Sequence, residues 1–234
     1  MRVVLASASP GRLATLRRAG VDPEVIVSRV DESQIEAADP IVLVSRLAQL
    51  KAEAVLERLG PAGETDPLVV IGCDSVLVFE GRPCGKPGGP AAAVELWRRV
   101  RGRTALLVSG HHVVVRDGDG PNLDASAPER RAAPPGRAGG GGLRRANRVG
   151  RTVVHFADLS EAEIEAYVAT GEPAQVAGGF TIDGLGGPFI TRIEGDPHNV
   201  VGLSLPLLRM MLADLGVAWS ELWRLDRPAA ATDS

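Results

Sequence analysis

The sequence predicts an α/β domain built on a mixed central β-sheet flanked by helices, and three observations lead there. Strand-like apolar runs alternate, irregularly, with helix-like segments along the chain. Of 234 residues, 44% are hydrophobic and 24% are charged with almost balanced signs, which is too apolar for a disordered chain. That length serves one large domain or two small ones, and either buries on the order of 70% of the surface its unfolded chain exposes. Only 3% of the residues are aromatic, so the expected core is Val, Leu, Ile and Ala.

The elements follow in order. Arg2 to Ala6 reads as a buried strand. Ser9 suits an N-cap and Pro10 a first helical position, so a helix runs from there to about Ala19 and stops at Gly20. Glu24 to Ser28 is a short strand, and Asp31 and Glu32 lie in the loop after it. Pro40 opens a long helix to about Leu59, closed by Gly60-Pro61. Leu68 to Phe79 is nearly all apolar, interrupted by Gly72, Asp74 and Ser75; it is one kinked strand or two strands around a tight bend. Pro90 starts a helix that Gly102 stops, and Ala105 to Arg116 and Thr152 to Phe156 are strands. Ser160 and Glu163 form a capping box for a helix to Thr170. Phe189 to Ile193 is a short strand, and Ser204 caps a helix through Leu215.

Residues 117–150 differ from the rest. Pro134-Pro135, a glycine run from Gly139 and six arginines give no core-forming pattern, so a disordered insertion is expected there. Residues 229–234 form a frayed tail to a single domain spanning 1–228.

Composition excludes several functions. A formal charge of -3 provides no global field for a nucleic-acid polymer. Two cysteines, Cys73 and Cys84, are too few for a disulfide framework. No signal-peptide pattern and no membrane-length apolar run is seen, which leads to an expected cytoplasmic location.

The residues that carry chemistry are few. Ser7-Ala8-Ser9-Pro10-Gly11-Arg12 joins a strand to a helix N-terminus, where free N–H groups, the hydroxyls of Ser7 and Ser9 and the Arg12 fork can hold an anion; plain capping is the simpler account of the same residues. Lys51 and Lys86 are the only two lysines in a chain otherwise using arginine, and a compact ammonium fits where a guanidinium does not. The helix from Pro40 turns Lys51 inward among Leu47, Ala48, Ala54 and Val55, with Glu32 and Asp74 as its nearest anions; a stem snorkelling to solvent is the alternative. Asp74 interrupts the most apolar segment, as a ligand-facing group or as a hairpin turn residue. Glu32 can join Asp74 in holding Mg²⁺, or be plain surface acidity. Lys86, in Gly85-Lys86-Pro87, can reach a phosphate or simply lie on the surface. Together, three cations for a polyphosphate and two carboxylates for a metal or a water fit metal-assisted phosphoanhydride cleavage. No Walker A pattern is present. His111 and His112, adjacent on a strand, point to opposite faces and have no metal-ligand spacing.

Those same residues make the chain resemble the Maf family of nucleoside triphosphate pyrophosphatases. The matching blocks include Leu5 to Arg12, Val30-Asp31-Glu32, Leu47-Ala48 through Lys51-Ala52, Gly72-Cys73-Asp74-Ser75, Gly85-Lys86-Pro87, Gly171-Glu172-Pro173, Ala177 to Phe180, and Gly195-Asp196-Pro197 with Asn199 to Leu203. The resemblance implies a Maf/ITPase-like fold with two lobes around a cleft, often dimeric. It implies hydrolysis of a nucleoside triphosphate to the monophosphate and pyrophosphate with Mg²⁺ or Mn²⁺. It casts Asp74 as general base and Ser7, Arg12, Glu32, Lys51 and Lys86 as phosphate and metal residues. A catalytic set of Asp74, Lys51 and Lys86, a substrate-binding set of Ser7, Ser9 and Arg12 and a metal pair of Glu32 and Asp74 are thus expected. A non-catalytic nucleotide-binding regulator is the alternative, and the paired carboxylates argue against it. Gly11 stands where many members have arginine, Ser109-Gly110 where Thr-Gly is usual, and Ser75 and Asp183 where pyrimidine-directed branches carry Thr and Gln. Ser75 resembles the actinobacterial branch, which implies broad base specificity.

Overall fold

The computed structural model describes residues 1–32, 35, 37–60, 67–118 and 142–224. The chain order is β1 (Arg2–Leu5), α1 (Pro10–Arg18), β2 (Glu24–Val25), α2 (Pro40–Leu59), β3 (Leu68–Phe79), β4 (Arg82–Cys84), α3 (Pro90–Val100), β5 (Thr104–Arg116), β6 (Leu143–Phe156), α4 (Glu161–Ala169), α5 (Glu172–Gln175), β7 (Ile190–Glu194), α6 (Pro197–Val201) and α7 (Leu205–Asp214). Helix starts are set by local chemistry. Ser9, Asp39, Ser160, Asp196 and Ser204 each accept a first-turn N–H of the helix they precede. Prolines 10, 40, 90, 197 and 206 occupy the first or second position of α1, α2, α3, α6 and α7, where no N–H is missed.

The sheet runs β2-β1-β3-β5-β6-β7, with β4 folded back on β3. β1 pairs parallel with both β2 and β3, and the remaining pairs are antiparallel. Mixed topology is therefore as expected. β1 stops at Leu5, opposite Ile71, while β3 continues to Phe79. The gap left beside β3 past the carboxyl end of β1, with α1 on one face of the sheet and α2 on the other, is the kind of crevice in which open α/β sheets bind ligands.

Alternation along β3 distributes the core. Leu68 and Val70 face α2 with Ala52, Val55 and Leu56. Val69, Ile71 and Cys73 face the opposite way, into a cluster with Leu16 of α1 and Leu208, Met211 and Leu212 of α7. Farther along, Leu77 and Phe79 join α3 and α4 in a separate cluster. Here Trp97, Phe156, Tyr167, Phe180 and Phe189 meet edge to face. The cluster around α1 and α7 is aliphatic, as composition implied, but most of the chain's few aromatics are gathered in the cluster under α3 and α4.

Several boundaries differ from the sequence reading. Of the two readings of Leu68–Phe79 the single strand holds, whereas β2 is shorter than expected and covers only Glu24–Val25. β6 begins at Leu143, inside the 117–150 segment expected to be disordered; residues 119–141 of that segment, and the 229–234 tail, lie outside the described residues. Of the six arginines of that segment, the three described ones, Arg144, Arg145 and Arg148, lie in β6 and have acidic partners on other elements. Arg145 pairs with Glu53 of α2 at 2.7 Å, and Arg148 with Asp214 of α7 at 2.6 Å. β4, α5 and α6 were not anticipated; they are three to five residues long, too short for a periodic signal.

α2 lies directly on the sheet because two glycines admit it. A Cβ at Gly72 would collide with the Ala48 carbonyl oxygen, and one at Gly110 with that of Val44. Both obstacles are backbone and cannot rotate away. Gly110→Ala is therefore expected to lower stability by about 1–3 kcal/mol in denaturant titration. Gly85→Ala, with open space around its Cβ position, should stay within about 0.5 kcal/mol of the parent.

Candidate active site

Arg12 occupies the gap beside β3. The last ladder bond of β1 runs from Ala6 N–H to Ile71 O. Beyond it, the Cys73 carbonyl would lack a partner, and Arg12 Nη1 donates to it at 2.9 Å. Nη1 also donates to Ser7 Oγ at 2.9 Å, Nε to Gly202 O at 2.9 Å and Nη2 to Ser75 Oγ at 3.0 Å. The guanidinium is buried and meets two carbonyls and two hydroxyls. Among the described residues no carboxylate pairs with it. Its charge is therefore left uncompensated, a standing attraction for an anion.

The other polar groups on this face are tied to it. Ser75, Ser109 and Gly150 lie in one cross-strand row. Ser75 Oγ meets Ser109 Oγ at 2.8 Å, and Ser109 Oγ donates to Asn199 O at 3.0 Å. Gly150 leaves room for the Asn199 side chain, which a Cβ would strike. This polar row divides the aliphatic cluster from the aromatic one.

Ser7 is buried, and its Oγ accepts from Arg12 and from Ser9 N–H at 3.2 Å. With its lone pairs occupied, its O–H is the group left to donate. Ser9 is the helix cap, accepting from Arg12 N–H at 3.4 Å. The expectation that Ser9 and Arg12 contact substrate is thus qualified. Ser9 acts through the cap, and Arg12 presents only its one remaining N–H.

Asp74 points to the opposite face, toward α2. Lys51 Nζ lies 2.6 Å from its Oδ1 and 2.8 Å from Glu32 Oε1. The Lys51 side chain is 10% exposed, that of Asp74 14% and that of Glu32 53%. The inward lysine and both of its expected partners are brought together. Asp74 is a strand residue, not a hairpin turn. Lys86 is not brought into this cluster: it is exposed on the loop between β4 and α3, with no ion pair among the described residues.

Two features escaped the sequence. One is a cavity of about 300 Å³ one turn along α1 from Arg12, bounded by Thr15, Arg18, Ile182, Asp183, His198 and Val201. It adjoins the anion site through Val201, which touches the space above Gly11 and precedes Gly202. The other is His111, fully buried, whose Nδ1 faces Ser109 O at 3.0 Å while Nε2 accepts the Ser204 N–H at 2.8 Å. Its only sequence signal was a polar residue in an apolar strand. Burial, then the Arg12 charge, lower its pKa to about 4. His112, on the other face, meets Glu53 at 3.2 Å, and burial lowers its pKa as well.

A family model described as Maf-like protein matches residues 2–215 of the chain. A protein of Cutibacterium acnes named nucleoside triphosphate pyrophosphatase is 52% identical over 222 residues, 94% of this chain and 93% of its own length. One of Salinispora tropica with the same name is 52% identical over 223 residues, 95% and 88% of the two chains. Among solved structures, the Staphylococcus aureus Ham1 protein aligns with 68% of this chain and 73% of its own at 16% identity and a TM-score of 0.36, too slight a likeness to argue from.

The His111 geometry predicts an acid-sensitive fold. An unfolded histidine takes up its proton near pH 6.5, the buried one only near pH 4. Between these values the unfolded chain binds the extra proton, so stability falls as pH falls. His111 alone should cost about 2 kcal/mol between pH 7 and pH 5. Melting curves across that range should decline less steeply for His111→Gln, with the His112 contribution remaining.

Proposed function

The chain belongs to the Maf-like family, and from that membership we propose that it is a nucleoside triphosphate pyrophosphatase, releasing the nucleoside monophosphate and pyrophosphate. The observation that carries this reading is the buried Lys51 bridging Asp74 and Glu32 on one face of β3, with Arg12, which has no carboxylate among the described residues, on the adjoining Cys73 carbonyl. Cation and carboxylates lie at the carboxyl end of β1, where a polyphosphate would meet both.

Water attacks the α-phosphorus, and the bond to the bridging oxygen breaks. Asp74 takes the proton from that water. Before substrate arrives, Lys51 holds the Asp74 carboxylate. Phosphate oxygens compete for the same ammonium, and a lysine drawn toward them leaves the Asp74 carboxylate free to accept the proton of the water. Ser7 donates its O–H to a phosphate oxygen, with the first turn of α1 behind it. Lys86, with no ion pair among the described residues, reaches the phosphates from its loop. The nucleoside occupies the cavity along α1.

Mg²⁺ or Mn²⁺ fits the donor set. Two carboxylates converging on one ammonium are what such a cation takes from a protein when phosphate oxygens and waters complete its shell. Among the described residues no group of three or more His, Cys, Asp and Glu forms an all-protein site. Glu32 and Asp74 would hold the cation, which when bound neutralises phosphate charge and polarises the phosphorus. Broad base specificity, a homodimer, a cytoplasmic location and no nucleic-acid polymer as partner belong to the same reading. Among the described residues, no helix is long and apolar enough to cross a membrane.

Incubation with each common triphosphate and Mg²⁺, reading pyrophosphate, tests the function; turnover of none would overturn it. Asp74→Asn should lower kcat by about 10²–10⁴-fold. Its stability should stay within about 1 kcal/mol, because Lys51 keeps Glu32. Lys51→Met should behave differently. It removes the cation from the largely buried Asp74, so turnover falls at least ~10²-fold and stability falls by about 2–4 kcal/mol. Stability unchanged in Lys51→Met would contradict the structural half of that pairing.

A further inference from the structure

Glu172 opens α5 and lies on neither face of the phosphate site, yet its carboxylate gathers four donors. Tyr167 Oη donates to Oε1 at 2.7 Å, Thr181 Oγ1 to Oε1 at 2.7 Å, Gly186 N–H to Oε1 at 3.0 Å and Leu185 N–H to Oε2 at 3.0 Å. Three of these donors belong to one stretch, residues 181–186. The same stretch contributes Ile182 and Asp183 to the wall of the α1 cavity. It has no regular strand or helix of its own between Phe180 and Gly186, so the carboxylate replaces the ladder its backbone lacks.

The glycines of the stretch belong to the same device. A Cβ at Gly184 would lie 2.5 Å from Glu172 Oε2 and 2.7 Å from Thr181 Oγ1. One at Gly186 would overlap Tyr167 Oη. Both positions are bare because the carboxylate and the phenol occupy the space. Tyr167 is itself seated edge-on against Trp97 and Phe189, so the clamp is anchored to the aromatic cluster under α3 and α4. Burial raises the Glu172 pKa, and the hydrogen bonds from Tyr167, Thr181, Leu185 and Gly186 outweigh it, for a net lowering. The clamp is therefore ionised at neutral pH.

We propose that Glu172 is a positioning residue for substrate, a carboxylate clamp that fixes the 181–186 stretch and so holds the cavity wall against the nucleoside. The proposal rests on the cavity being the nucleoside subsite. Glu172 touches none of Asp74, Lys51, Glu32 or Arg12, so it governs affinity and leaves the chemical step alone.

Glu172→Gln keeps the shape but turns an N–H₂ toward groups that donate. KM for triphosphate should rise about tenfold, with kcat at saturation within about threefold of the parent. Thr181→Val removes one donor from the stretch itself and leaves Glu172 intact. It should raise KM about threefold, again with kcat held. Amide exchange at Leu185 and Gly186 should quicken at least tenfold in Glu172→Gln. Quickened exchange together with raised KM supports the clamp. Quickened exchange with KM unchanged, or kcat falling as far as kcat/KM, overturns it, and so does exchange that does not change. If the parent turns over no triphosphate, the reading of the function fails instead, and a non-hydrolysable triphosphate analogue decides the clamp: its Kd rises about tenfold in Glu172→Gln or the proposal is wrong. Thr181→Val supplies the same decision should Glu172→Gln fail to fold.

Discussion

The fold depends most on one buried guanidinium that has no counter-charge among the described residues. Arg12 joins α1, the end of β1, the middle of β3 and the turn after α6 through four hydrogen bonds. A lysine could not do this: it has no planar fork to address two carbonyls and two hydroxyls in fixed directions. The arrangement closes the sheet where β1 ends and keeps a positive charge at that point. Structural and functional demands coincide there, because the charge that the protein leaves uncompensated is the charge a phosphate would meet.

Two faces of β3 divide the work. Successive residues point to opposite sides of a strand. Cys73 and Ser75 therefore turn toward α1 and the Arg12 network, and Asp74 turns toward α2 and Lys51. Gly72 and Gly110 let α2 settle on the backbone of β3 and β5, which brings Lys51 within reach of Asp74. The pair is then a consequence of close helix-to-sheet packing, and a methyl group at Gly110 would disturb it from a distance. His111 supports the other side, holding the N–H of Ser204 just beyond the turn whose Gly202 carbonyl receives Arg12.

Much of this site was legible in the sequence, for physical reasons. A helix periodicity that turns a lysine inward requires an anion nearby, and Lys51 found both Glu32 and Asp74. Caps and prolines marked the helix starts because their effects are local. The Arg12 contacts were not legible. Its partners lie 5, 61, 63 and 190 residues away, and only the strand register decides which carbonyl is left vacant. Four of its N–H groups brace the scaffold, and one is left over for the phosphate that the sequence reading assigned to it.

By itself the sequence determined the mixed α/β class, the helices with strong caps, the inward lysine and the membership of the Maf-like family, since each rests on local pattern or on residue identity. Tertiary structure alone decided the rest. It converted Arg144, Arg145 and Arg148 from a sign of disorder into strand residues with acidic partners, one just past β5 and two on α2 and α7. It placed Glu172 beneath a stretch that follows it by about ten residues, and it opened the cavity along α1. Such features depend on where distant backbone groups come to lie, and a carboxylate cannot reveal its donors until the fold has brought their N–H and O–H groups within 3 Å.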